Sequence, residues 1–183
     1  MRYITGGTNL IDIELILKKS KIASGATVAD LGCGSAGHLV FPIASIVGIN
    51  GKVYAVDILK NILETVNRKA KQENFKNVKT VWSDIEVFGA TDIEQNSIDT
   101  IFVVNTFYIT KKKNEVMREI VRLLKKSGRV VFVDWKNSFS PFGPPSELRV
   151  SIDLLKDLAK NNGLKFDEEF FVGQYHYGLI FEK

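Results

Sequence analysis

The sequence predicts an α/β protein: a three-layer, doubly wound αβα arrangement around a mostly parallel seven-stranded sheet. Three observations carry this. Short β-branched runs alternate with longer amphipathic ones, the pattern of successive βα units. Runs such as Ile101-Phe102-Val103-Val104 and Val130-Val131-Phe132-Val133 are apolar without a break, which suits strands covered on both faces. The alternation then stops: Phe166–Phe171 and Tyr175–Phe181 flank a turn at Gly173-Gln174, a terminal hairpin that adds an antiparallel strand.

In chain order, a helix near 10–20 presents Leu10, Ile13 and Leu17 on one side. Strands are expected near 26–31, 52–57, 78–82, 98–104 and 128–134. Between them, Ile62, Val66 and Ala70 recur at helical spacing, as do Val116, Ile120 and Leu124. Pro42 falls early in the helix after the first strand, where its missing N–H does no harm. A helix near 147–162 stops at Asn161-Asn162-Gly163. Ser138–Pro145 is too rich in proline to be helix or central strand. Nothing divides the 183 residues, so one domain is expected over 1–183. Residues 1–24 would form an amino-terminal cap and helix, and 25–183 the core.

Composition narrows the class. At 45% hydrophobic and 25% charged the chain is an ordinary globular protein, and a net charge of +4 does not by itself demand an anionic partner. No apolar run approaches the roughly 20 residues of a membrane span. The opening MRYITGGTNL lacks the succession of a signal peptide. The single cysteine, Cys33, excludes an internal disulfide and a cysteine-based zinc site. A cytoplasmic location and no metal are the expectations.

Chemistry concentrates in Val28-Ala29-Asp30-Leu31-Gly32-Cys33-Gly34-Ser35-Ala36-Gly37, at the end of the first strand. Gly32, Gly34 and Gly37 have the G-x-G-x-x-G spacing of a nucleoside-cofactor loop. In open α/β sheets a ligand sits at the carboxyl ends of the strands, where this loop falls. Asp30 argues against a dinucleotide, because a carboxylate would face a pyrophosphate unfavourably; it suits a ligand bearing an ammonium group. Little room remains for a second substrate domain, and the terminal hairpin does not fit a sheet of two equal mononucleotide halves. Asp57 ends the second strand 20 residues after Gly37, where an acid accepts ribose hydroxyls. Asp84, after the third strand, is placed for the polar edge of a base. Amino acid, ribose and base together describe S-adenosylmethionine.

With VADLGCGSAG, VYAVDI, WSDIE, QNSIDTIFVVN and LLKKSGRVVFVDW in this order, the sequence resembles the class I, Rossmann-like S-adenosylmethionine-dependent methyltransferases over nearly its whole length. The resemblance implies that Asp30 and the Gly32–Gly37 loop, with Cys33, Gly34, Ser35 and His38, hold the methionine part. It implies Asp57 for the ribose hydroxyls, and Asp84 with Ile85 for the adenine; Ile58 and Ser83 are further expected cofactor contacts. Asn105 and Phe107 would lie near the sulfonium.

The acceptor is less legible. Tyr108, Trp135, Phe139 and Phe142 are the expected acceptor contacts, and His38, Tyr108 and His176 are base candidates by position alone. Asn105-Thr106-Phe107-Tyr108 lacks the prolines of the NPPY motif, so amino-group methylation is not inferred. Lys111-Lys112-Lys113 opens a surface helix and reads as a solvated face. Asp12 and Glu14 read as surface charge, and Cys33 as a small residue filling the loop. A small-molecule acceptor is expected; a protein or RNA acceptor, or a non-catalytic cofactor-binding subunit, are the alternatives. A lid is expected from Asn137–Pro145 together with Thr5-Gly6-Gly7-Thr8.

Overall fold

A computed structural model of the chain describes residues 10–138 and 140–183. The elements follow as α1 (Ile13–Ser20), β1 (Thr27–Leu31), α2 (Val40–Val47), β2 (Lys52–Asp57), α3 (Lys60–Gln72), β3 (Val78–Trp82), β4 (Ile98–Val104), α4 (Lys113–Leu123), β5 (Leu124–Trp135), α5 (Ile152–Asn161), β6 (Lys165–Phe171) and β7 (His176–Glu182). They form one seven-stranded sheet in the order β3-β2-β1-β4-β5-β7-β6. Strands β1 to β5 pair in parallel, and β7 inserts antiparallel between β5 and β6.

Alternation along each strand sends its side chains to two separate cores. Val28, Val53, Val131 and Ile180 pack beneath α1, α2 and α3. Ala29, Ile101, Phe132 and Leu179 pack against α4 and α5. The three-layer expectation therefore holds, hairpin included.

Local departures have local causes. The first helix begins at Ile13, because Asp12 caps it by accepting the Leu15 N–H at 2.9 Å. The expected surface charge is thus a helix cap. The last helix begins at Ile152 rather than 147, since Ser151 caps it and the chain before it makes only a 3-10 turn at Ser146–Leu148. Strand β5 starts earlier than expected, its pairing with β4 interrupted between Ile98 and Thr100.

No helix joins β3 to β4. The loop between them is held by Glu119 of α4, which accepts the N–H groups of Gly89 at 2.8 Å and Thr91 at 3.2 Å. Arg122 closes the arrangement with two hydrogen bonds to Glu119 and others to the carbonyls of Thr91 and Ile93. Burial works against the Glu119 charge, but the bonds from Arg122, Gly89 and Thr91 outweigh it and hold this carboxyl below its usual range.

Candidate active site

The carboxyl ends of β1 and β4 diverge around a cavity of about 220 Å³. Asp30, Gly32, Cys33, Gly34, His38 and Asn105 all contribute to its wall, with Ile11, Leu39 and Val104 as apolar lining. Topology explains the convergence: neighbouring parallel strands deliver their following loops to one edge.

The glycines are required by the backbone. Gly32 has φ +81°, and a Cβ there would collide with the Thr106 side chain. Gly34 has φ +64° and nothing within 4 Å of where a Cβ would stand, so its open side is free for a ligand. Gly37 also has positive φ and packs against Phe41. Helix α2 begins at Val40, after a turn that carries exposed Ser35 and His38.

Asp30 is 3% exposed. Burial first, and the neighbouring Asp57 charge second, push its carboxyl up to about 7. The same influences raise the Cys33 thiol further from its reactive form, in keeping with a filling role. Asp57 props the loop from beneath, accepting the Gly34 N–H at 3.3 Å and the Leu59 N–H at 3.0 Å. Asn105 occupies the left-handed region at φ 51°, and its Oδ1 is buried with no hydrogen-bond partner among the described residues. A buried carboxyl, an amide oxygen without a partner among the described residues and an open glycine cradle fit the amino-acid end of S-adenosylmethionine.

Farther along the edge, Ile58 is half-exposed and its carbonyl accepts the Trp82 indole N–H at 2.8 Å. Asp84 accepts the Glu86 N–H at 2.9 Å, and Ile85 packs on the α4 side of the sheet. Ser83 is buried and shares a hydrogen bond with Thr91.

Several expected contacts lie elsewhere. The Phe107 ring does not line the cavity; it sits in the core, edge-on to Phe132 at 5.3 Å between centroids. The cause is the turn at Phe107–Ile109, fixed where the Tyr108 N–H bonds Asp134 at 2.9 Å. Trp135 is also buried, its ring tilted at 45° against His176 with 4.1 Å between centroids, and covered by Gly143. His176 is wholly buried with neither ring nitrogen partnered among the described residues. Burial, then Lys136 and Arg149, push it down to about 4. Tyr108 is half-buried, and burial followed by Asp134 raises its phenol. Phe142 lies edge-on to Tyr175. Phe139 and Thr5–Thr8 fall outside the described residues.

Two residues went unnoticed in the sequence. Asp134, one residue before the end of β5, is almost completely buried; burial pushes it up to about 7 despite the N–H groups of Trp135 and Tyr108. A lone acid closing an apolar run was the available signal. Arg149 ties the proline-rich loop together, donating to the carbonyls of Lys136, Ser138, Phe142 and Pro144. In this structure the described part of the expected lid is held by these four bonds, and its other part, Thr5–Thr8, lies outside the described residues.

This sheet order with its single reversed strand, and a glycine-walled cavity over Asp30, define the class I methyltransferase architecture. A family model described as a methyltransferase domain matches residues 22–168. The chain is 30% identical over 125 residues to a demethylmenaquinone methyltransferase of Lactococcus lactis, covering 68% of this chain and 48% of that one. It is 28% identical to a 2-phytyl-1,4-naphtoquinone methyltransferase of Nostoc punctiforme, covering 76% and 59% respectively. The chain thus spans about half to three-fifths of the length of these curated relatives. The crystal structure of a SAM dependent methyltransferase from Aquifex aeolicus superposes with a TM-score of 0.86 at 27% identity, covering 94% of this chain and 90% of that one. The chain belongs to the S-adenosylmethionine-dependent methyltransferase family.

Proposed function

We propose that this protein transfers the methyl group of S-adenosylmethionine to a small planar acceptor, a quinol-like ring being the class that best fits its relatives. The observation that carries the cofactor assignment is the buried Asp30 carboxyl on the wall of the glycine-lined cavity. When bound, the cofactor supplies a methyl group on a positively charged sulfur. The remaining work falls on the chain. Asp30 accepts the ammonium group, and the backbone at Gly32 and Gly34 lies close along the amino-acid portion. Asp57 takes the ribose hydroxyls; Asp84 and Ile85 flank the base. Ile11, Leu39 and Val104 keep water from the reacting end, so positioning does most of the catalysis.

A phenolic acceptor requires a proton sink. Of His38, Tyr108 and His176, only His38 is among the residues lining the cavity. Tyr108 holds its proton more tightly than a free tyrosine, and His176 is buried away from solvent. His38 is therefore assigned the role of base, or of the hydrogen-bond acceptor that orients the hydroxyl.

Methyl-labelled cofactor incubated with naphthoquinols, other small aromatics, peptides and RNA tests this directly. Label in a naphthoquinol product supports the reading. Label confined to peptide or RNA replaces the small-molecule acceptor, and failure to bind S-adenosylmethionine in calorimetry overturns the function.

A further inference from the structure

We propose that the rim of the crevice beside α4 is a docking surface for an anionic lipid bilayer. Ile109 is 59% exposed, Val87 47% and Phe88 46%, although each is a large apolar side chain. They come from two loops that one carboxylate draws together: Glu86 Oε2 accepts the N–H groups of Lys111 at 2.9 Å and Lys112 at 2.6 Å. The patch thus has a defined backbone, with Val87 and Phe88 following Glu86 and Ile109 preceding the lysines.

The charges around it match one kind of partner. Lys111 and Lys112 are exposed, and neither forms an ion pair among the described residues. Glu86, the nearby acid, is committed to backbone N–H groups, and Glu115 to Arg118.

The second observation concerns where the lysines stand. Lys112 is the N-cap of α4 and Lys113 its first residue. A helix amino terminus favours acids and disfavours cations, so the fold gains nothing from a basic cluster there. Lys113 is partly used locally, donating to the Thr110 carbonyl. The Lys111 and Lys112 ammonium groups have no ion-pair partner among the described residues.

Exposed aliphatic tips beside unpaired lysines are the combination that interfacial binding uses: apolar groups enter the headgroup boundary while ammonium groups meet anionic lipid. A nucleic acid would engage the lysines but leave Ile109 and Val87 without a role. The surface follows β3 and β4 at their carboxyl ends, so docking there turns the cofactor crevice towards the bilayer. This inference is independent of which acceptor is methylated.

The test is co-sedimentation of the full chain with vesicles of phosphatidylcholine alone, or of phosphatidylcholine with phosphatidylglycerol. The expected result is binding to the anionic vesicles only, released by high salt. Lys111→Gln/Lys112→Gln should weaken it by roughly 30-fold, at about fivefold per lysine. Ile109→Ser/Val87→Ser should weaken it at unchanged charge. Lys21→Gln/Lys126→Gln, the same charge change elsewhere on the surface, should leave it unaltered. No binding to anionic vesicles overturns the proposal. So does equal weakening by both lysine pairs, or binding to an RNA oligomer with vesicles ignored. Circular dichroism of each variant confirms that these exposed substitutions leave the fold intact.

Discussion

Asp57 Oδ2 accepts the backbone N–H of Gly34 across 3.3 Å, so the acid that ends β2 also steadies the glycine loop that ends β1. With the ribose contact proposed above, one carboxylate would have two duties, and substitutions separate them. Asp57→Ala removes both, and cofactor affinity should fall by roughly 10- to 100-fold, from lost hydrogen bonds to a charged group. Asp57→Asn retains an oxygen for Gly34 and should fall less. Calorimetric titration with S-adenosylmethionine measures both; equal affinity in all three proteins would remove Asp57 from the site.

Asp30 should couple cofactor binding to pH. Its carboxyl lies near 7 in the ligand-free fold, and an ammonium partner favours the ionised form. Affinity should therefore tighten from pH 5 to 7 and then level off, with about one proton released per cofactor bound well below pH 7. Calorimetry in buffers of different ionisation enthalpy counts that proton. Asp30→Asn should abolish the release.

The same shift acts on stability. A carboxyl raised from 3.8 to about 7 supports the fold fully below pH 4 and loses that contribution as the pH rises towards 7. Asp30→Asn should thus gain stability relative to the wild type across this range. The measurement is the difference in melting temperature between the two proteins as a function of pH.

His176 works in the opposite direction. Lowered from 6.5 to about 4, it contributes fully above pH 6.5 and loses its contribution as the pH falls through 4. His176→Phe keeps a ring against Trp135 and removes two buried nitrogens that have no partner among the described residues. It should stabilise the protein by about 1–3 kcal/mol and remove that part of the acid sensitivity. Denaturant unfolding at pH 7 and pH 5 checks both statements.

Glu119→Ala should cost about 3–5 kcal/mol, because it leaves Arg122 without its buried partner and frees the loop over Gly89 and Thr91. That loop begins with Asp84 and Ile85, proposed above to flank the adenine, so cofactor affinity should fall in the folded fraction too. Urea unfolding and cofactor titration report the two effects.

The sequence disclosed the sheet because strand periodicity is local: the spans 52–57, 78–82 and 98–104 coincide with the observed strands. It grouped Asp30, Gly32, Gly34 and Asn105, which do line one cavity, because β1 and β4 are sheet neighbours whose carboxyl ends share an edge. It misplaced Phe107, whose direction depends on a hydrogen bond from Tyr108 to an acid 26 residues away. It missed Asp134 and Arg149 for the same reason: their meaning lies in backbone groups brought to them by tertiary structure. The helix caps at Asp12 and Ser151 were legible and passed over.

Arg149 grips the proline-rich wall entirely through main-chain oxygens. A clasp of that kind is blind to side-chain identity. Lys136, Ser138 and Phe142 can therefore change while these bonds remain, whereas Gly143 cannot, because its φ is +83° and a Cβ there would strike the Trp135 ring. The segment behaves as a partly exchangeable facing on a permanent frame.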